Sequence, residues 1–328
     1  MDHNVVIPKL LDLGARASII PWIVDFLSNR SQCVRYQGII SDWAQLKAGV
    51  PQGTLIGPIL FLCMINDAAI NSVNEIMALK YVDDLTLVEN TQVTGCSVMQ
   101  AELDRFGRWV NVNNMTLNVS KCLSMDITFA RSPSECTALQ LAGHELTSVD
   151  VLKILGIKIT KDLKWDTHIT DITRKASGRL FMLTTLRRFG LKIEDLIKIY
   201  IGYIRPLLEY AVPVWHPGLT VQQHNSLERI QKRACKIIMG TKYSSYHQAL
   251  QTRGIQALQE RREHQCLKFA QSLMKSDVFR SWLPNQRGTE SGRSLRNSHL
   301  LTLPRARTQR YANSVIPYLV KVLNECGR

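Results

Sequence analysis

The chain has 328 residues, 45% of them hydrophobic, and a formal net charge of +14, enough for about two domains of roughly 150 residues each and a core that needs no staples. Eight scattered cysteines without a CxxC or a Cys/His group at zinc-ligand spacing, and a longest apolar run (55–65) broken by Gly57 and Pro58, exclude a disulfide scaffold, a zinc module and a bilayer span and point to an intracellular protein with reduced thiols. The charge is uneven: residues 1–150 carry 10 basic and 15 acidic side chains, a net −5, and residues 151–328 carry 31 and 12, a net +19, which suggests a module able to hold cations followed by one able to hold a polyanion.

At the N-terminus, Asp2 and His3 stand where a signal peptide would be basic. Residues 5–14 and 18–29 read as short amphipathic helices, ending near Gly14 and at Ser28 and Asn29. "QCVRYQGI" reads as a strand entering a turn. The stretch 49–70, "GVPQGTLIGPILFLCMINDAAI", is a Gly/Pro-rich loop feeding a helix, with Pro58 in its first turn. Two apolar strands, 76–82 and 85–88, then meet at Asp83 and Asp84. Residues 97–116 read as a helix turning Val98, Leu103, Phe106, Trp109 and Val110 inward. "CLSMDITFA" (122–130) reads as a strand, and "VLKILGIKIT" (151–160) as another with a glycine inside it.

After about residue 160 the period becomes helical. Ile169, Ile172, Ala176, Leu180 and Leu183 mark one helix. Ile193, Leu196, Ile197, Tyr200, Ile201 and Ile204 mark a second, which Pro206 is expected to end. Leu227, Ile230, Ala234 and Ile238 mark a third. The opposite faces of the first and third carry Arg174, Lys175, Arg179, Arg187, Arg229, Lys232, Arg233 and Lys236. One such face is ordinarily just solvated; two close together suit a surface that tracks a nucleic-acid backbone. The tail, 241–328, holds a Ser/Arg/Gly-rich stretch (288–310) that reads as a flexible basic connector, and a final helix over about 314–324.

Adjacent carboxylates repel and raise each other's pKa. A divalent cation removes that penalty, and magnesium takes one or two carboxylates together with water and substrate phosphates. A tight turn can aim both side chains at one point, where a regular strand would send them to opposite faces. The plainer alternative is a solvated Asx turn; apolar strands of buried character on both sides favour the metal reading.

"YVDD" (81–84) between apolar strands resembles the catalytic signature of reverse transcriptases, and "GVPQGTLIGPILFLCMIND" (49–67) the motif that precedes it there. "WVNVNNMTLNVSKC" (109–122), "LKILGIKI" (152–159), "YIRPLLEYAVPVW" (203–215) and "LERIQKRACKII" (227–238) keep the family's order, and the closing "LPRARTQRYANSVIPYLVKVLN" resembles the end of Jockey-like LINE polyproteins. The resemblance to non-LTR retrotransposon reverse transcriptase spans nearly the whole chain. It implies an α+β fold: a partial right-hand palm of antiparallel sheet and helices over 1–160, an all-helical thumb over 161–240, and a basic C-terminal region over 241–328. It implies an RNA-directed DNA polymerase with Asp83 and Asp84 as catalytic metal ligands for Mg2+ or Mn2+. Pro51, Gln52 and Gly53 would lie beside incoming nucleotide and template, and Lys121 would meet the triphosphate. Residues 152–159 would be the primer-gripping hairpin, or plainly a core strand pair, and Arg174, Lys175, Arg179, Arg229, Lys232, Arg233 and Lys236 would hold the backbone. The implied partners are an RNA template, a DNA primer or duplex, and deoxynucleotides, with no membrane. Tyr81 would stack or pack next to the site, with plain core packing the stronger expectation.

The sequence departs from the family at its start. The family takes a further metal Asp from a strand just before a "VDHNVL"-like stretch, and here "MDHNVVIPKLLDLG" opens the chain. Asp2 lies past that catalytic position, so the expectation is half a palm, a thumb and a tail, of doubtful activity. The alternatives are a non-catalytic nucleic-acid-binding derivative and a relic. An intron-encoded maturase fits less well, because the C-terminal segment matches LINEs and no DNA-endonuclease motif follows.

Overall fold

Asp2 opens the first helix, α1 (His3–Asp12), by accepting the Asn4 amide at 2.8 Å, as an N-cap carboxylate does. The structure, a computed structural model, describes residues 1–46, 48–68, 76–91, 97–129, 138–291 and 297–326. The ends of two expected elements, 69–70 and residue 130, and residues 292–296 of the expected connector lie outside the described residues. The chain forms two units, Met1–Val149 and Asp150–Arg328.

In the first unit a short 3-10 turn (Ala17–Ile19) leads into α2 (Ile20–Leu27). Four two-residue strands follow: β1 (Ser31–Gln32), β2 (Arg35–Tyr36), β3 (Ile39–Ile40) and β4 (Ala44–Gln45). β2 and β3 form a hairpin whose turn, Gln37 and Gly38, has positive φ at both positions (48° and 85°), as a tight hairpin turn requires. Next come α3 (Ile56–Ile65), β5 (Ile76–Tyr81), β6 (Asp84–Glu89) and α4 (Met99–Val112). Val6, Leu10, Ile23, Leu27, Leu60 and Met64 form one small core, and Leu103, Leu141 and Leu146 another. Of the five residues expected to turn inward on α4, Leu103 and Val110 are buried, while Phe106 and Trp109 are half-buried and stack on each other at 5.9 Å.

Sheet formation is thinner than the sequence suggests. All the sheets among the described residues are two-stranded. Of the strand expected over 122–130, only β7 (Leu123–Ser124) forms. After β8 (Gln140–Leu141) and β9 (His144–Glu145), β10 (Thr147–Ser148) pairs parallel with β7. Residues 125–129 lie outside the strands, and an apolar pattern does not by itself set where a ladder stops.

The second unit opens with β11 (Val151–Ile154) and β12 (Ile157–Thr160), an antiparallel hairpin around Leu155 and Gly156, both at positive φ. The strand with an internal glycine that the pattern suggests is therefore two strands and a turn, the hairpin that the family resemblance implies over 152–159. This hairpin falls with the helices, because Lys158 pairs with Asp171 at 3.3 Å and its amide donates to His168 Nδ1 at 3.4 Å. Both partners sit on α5 (Asp166–Arg188). The five α5 positions marked by period are all buried.

The second helix does not stop at Pro206. It runs through α6 (Ile193–Ile199), a π-helical turn (Tyr200–Ile204) and α7 (Arg205–Glu209). The Arg205 amide bonds the Tyr200 carbonyl, five residues back, and this wider turn accommodates the proline, which sits where a first helical turn tolerates it. Leu196, Tyr200, Ile204 and Leu208 stay buried in line, and Ile201 is turned out. α8 (Val212–Trp215) leads to α9 (Val221–Met239), which Thr220 and Gln223 open with a capping box. Leu227, Ile230, Ala234 and Ile238 are all buried. Gln223 Nε2 donates to Asp166 at 2.7 Å, and Arg233 Nη1 meets Ser177 at 3.5 Å, so α5 and α9 run parallel.

The tail shares this core. α10 (Tyr246–Arg253) packs on α9, and Leu258, Cys266, Ala270 and Leu273 of α11 (Leu258–Lys275) enter the same cluster as α5 and α9. After α12 (Arg287–Ser291) and α13 (Gln309–Ala312), α14 (Val315–Cys326) contributes Leu319 and Val320. The expected connector is anchored at Leu300 and Leu301: both are buried, and Asn324 pairs with both backbone groups of Leu301, at 2.9 and 3.0 Å.

Candidate functional site

The acidic pair lies at the tip of the β5–β6 hairpin. Tyr81 pairs with Asp84, so the turn consists of Val82 and Asp83 alone. Val82 has φ +53°, a conformation rarely taken by a β-branched residue. Residues directly opposite share a face of the ladder and successive residues alternate. Ile76, Ala78, Lys80, Leu85, Leu87 and Glu89 therefore form one face, and Met77, Leu79, Tyr81, Asp84, Thr86 and Val88 the other.

The first face is held from both ends. Lys80 Nζ donates to the carbonyls of Asn66 at 2.5 Å, Ala68 at 3.1 Å and Ile65 at 3.3 Å, capping the C-terminal end of α3. Lys9 joins it there, reaching Met64 O at 2.9 Å and Asp67 at 2.6 Å, with its ammonium over the Trp109 ring. Two cations at a helix C-terminus suit its dipole. Desolvation pushes the Lys80 ammonium below the usual lysine value. Glu89 accepts from Ser97 and from the Val98 amide, both at 2.7 Å, and so caps α4.

The second face is open. Met77, Leu79, Tyr81 and Val88 are exposed, as are Asp83 and Asp84. This corrects two expectations: the apolar strands are walled on one side only, and Tyr81 is not packed in a core. Alternation in "IMALKY" carries the reason, since Lys80 shares its face with Ile76.

The other expected residues lie elsewhere in the unit. The Pro51 carbonyl accepts from Thr54 Oγ1 at 2.8 Å, and that oxygen accepts from the Gly57 amide at 3.3 Å, which closes the turn into α3. Gln52 and Gly53 are exposed, with Gly53 at φ +79° and open space on the side a Cβ would take. They sit at the N-terminal end of α3, while Lys80 grips its C-terminal end, about 15 Å away at 1.5 Å per residue. Lys121 is exposed at the end of a 3-10 turn (Val119–Lys121). Asp2, bonded by the Asn4 amide and by Asn114 Nδ2 at 2.9 Å, is a structural cap, and those bonds hold its carboxyl below the usual value. Among the described residues no group of three His, Cys, Asp or Glu side chains is gathered as a metal cage. Asp83 and Asp84 fit a hard cation chemically as part of a donor set.

In the second unit the basic faces divide. Arg229, Lys232, Arg233 and Lys236 are exposed along α9; Lys232 lies 5.3 Å over the Tyr246 ring and Lys236 5.6 Å over Tyr243. Arg174 and Lys175 are exposed on α5 but share Asp171, at 3.1 and 2.7 Å, with Lys158. The Lys175 bond, then those of Arg174 and Lys158, hold the Asp171 carboxyl well below the usual range. Lys158 is a cation that the sequence reading passed over; its signal was only a lysine within an apolar strand. Arg179 is half-buried, stacked 4.0 Å over Tyr203 and bonded to the Tyr203 carbonyl. Arg187 leaves the stripe altogether: it donates to the carbonyls of Ile237 and Ile238 at the end of α9 and fills the space above Gly240.

No helix among the described residues is long and apolar enough to cross a membrane. The sequence profile of "Reverse transcriptase (RNA-dependent DNA polymerase)" matches residues 3–159. The RNA-directed DNA polymerase from mobile element jockey of Drosophila funebris is 27% identical over 229 residues, 66% of this chain and 25% of that protein. Its Drosophila melanogaster counterpart is 27% identical over the same shares. A 24% match over 228 residues links 66% of the chain to 24% of a D. melanogaster transposon X-element protein named for the same activity. The chain spans about a quarter of the length of these curated relatives.

Proposed function

Since residues 3–159 belong to the reverse transcriptase family and the chain is a relative of LINE-type, non-LTR retrotransposon polymerases, we propose that its two units divide the work of such an enzyme. The first unit is part of a palm, and α5 to α9 form a thumb. The observation that carries this is the Tyr81–Asp84 register, which puts Asp83 in the turn and Asp84 on the open face within the matched segment.

Asp83 and Asp84 are the metal ligands. Magnesium or manganese, when bound there, supplies the positive charge that lets both carboxylates stay ionised and steadies the phosphates of an incoming deoxynucleotide. Pro51, Gln52 and Gly53 form the nucleotide and template side: backbone can approach closely at Gly53, and the Gln52 amide offers both a donor and an acceptor. Lys121 neutralises triphosphate charge. The β11–β12 hairpin meets the primer, and Arg174, Lys175, Arg179, Arg229, Lys232, Arg233 and Lys236 hold an RNA template–DNA primer duplex by its phosphates. The region 241–328 adds RNA contact. The reading implies work inside the cell.

A second reading, nucleic-acid binding without nucleotide incorporation, is favoured for the isolated chain. Two exposed carboxylates, one in the turn and one at the first position of β6, with no third ligand gathered among the described residues, are short of a two-metal cage. Primer extension on an RNA template, with magnesium or manganese, tests this directly. Duplex binding without extension is expected. Extension that is lost in Asp83→Asn would instead establish an active polymerase.

A further inference from the structure

One face of α5 combines large rings with cations. At 3.6 residues per turn, Arg174, Gly178, Phe181, Thr185 and Arg188 follow one another up the side opposite Ile169, Ile172, Ala176, Leu180 and Leu183, with Phe189 beside Thr185. Phe181 is 74% exposed and Phe189 79%, whereas rings this size normally bury. A Cβ at Gly178 would meet nothing within 4 Å, so the space before Phe181 is open. Cations line the strip. Arg174 and Arg188 stand in it, both exposed, and Arg233 of α9 reaches Ser177 along one edge.

We propose that this strip binds single-stranded nucleic acid, with Phe181 and Phe189 stacking on unpaired bases and these cations holding phosphates. Such cations in a segment of net charge +19 select a polyanion. Exposed ring faces then select among polyanions, because the bases of a duplex are already stacked on one another and those of a single strand are not. Phe181 and Phe189 are eight residues apart, about 12 Å along the axis, close to three or four base steps at about 3.4 Å. The proposal deepens the nucleic-acid reading above and rests on it: the α9 stripe serves the duplex phosphates, and the α5 rings serve the strand that has not yet paired.

The test uses the full chain and two fluorescein-labelled probes of about 15 nucleotides, oligo(U) and a blunt duplex, followed by anisotropy. Phe181→Ala/Phe189→Ala should lower oligo(U) affinity at least tenfold and leave duplex affinity and both salt slopes unchanged. Phe181→Tyr/Phe189→Tyr should retain oligo(U) binding, since the ring is kept. Phe181→Trp should be quenched by oligo(U) and not by duplex, which reports stacking at the site itself. Equal losses on both probes, or no loss and no quenching at saturating oligo(U), would overturn the stacking proposal while leaving duplex binding standing. Absence of binding to either probe would overturn both readings. Self-association that the double alanine variant abolishes, without any oligo(U) effect, would assign the strip to protein contact instead.

Discussion

Tyr81 and Asp84 face each other across the hairpin, and the turn they leave places Val82 at φ +53°. That conformation costs an L-residue roughly 1–2 kcal/mol, and a β-branched one at the upper end. Glycine removes the strain but gains freedom in the unfolded chain, so Val82→Gly should stabilise by about 0.5–1 kcal/mol. A higher urea midpoint at unchanged m-value is the expected signature.

Asp83 is exposed next to another carboxylate. If the pair keeps a metal-site arrangement, Asp83→Asn in chelator-treated buffer should leave the unfolding midpoint unchanged or raise it, because a repulsion is removed. A clear drop would mark the side chain as a structural hydrogen-bond acceptor.

Lys80 joins the hairpin to α3 through three carbonyls. Lys80→Met keeps the stem and leaves the helix end without its donor. A loss of about 1–2 kcal/mol is expected, since hydrogen bonds to a charged donor exceed neutral ones but this ammonium is partly solvated. Hydrogen exchange should quicken at the C-terminal turn of α3 before it does at α1.

The α9 stripe should bind phosphates. Replacing Arg229, Lys232 and Arg233 together with Ala should weaken binding to every duplex sequence alike and flatten the dependence of log affinity on log salt, by about 0.9 per lost contact on B-DNA. Unchanged affinity and slope would return the stripe to a solvated charged face.

Acid should loosen the second unit. Burial, followed by the Arg262 guanidinium and His224, pushes the His216 imidazole down to about 3. The groups packed on it are His224 of α9, Arg262 of α11 and Tyr318 of α14, and none carries negative charge at neutral pH. Below about pH 6.5 the unfolded chain takes up a proton that the folded chain refuses, so this contribution is complete above 6.5 and falls as pH drops toward 3. The loss reaches up to about 5 kcal/mol. His216→Gln should flatten the fall in urea midpoint with pH by about one proton's worth.

Helices were legible because burial repeats along them: every period-marked position of α5 and α9 is buried. The acidic turn was legible from two charges interrupting apolar strands. Its open face was not, since "IMALKY" reads as wholly apolar until Lys80 is seen to choose a side. Pro206 misled because a proline's effect depends on the hydrogen bonds preceding it, and a π-helical turn had already rearranged them. Arg187 matched the basic stripe in period, yet the unpaired carbonyls ending α9 claim it.

The unequal cores set where the chain gives way first. The second unit gathers α5, α6, α9, α11 and α14 around one continuous cluster, while the first relies on small separate ones and ladders two strands wide. Opening free energies follow buried apolar contact, so brief treatment with protease should cut in the first unit and spare a resistant fragment beginning close to Asp150. Such a fragment would retain α5 and α9 intact and could be purified by its positive charge, providing a piece on which backbone binding is measured without the acidic hairpin.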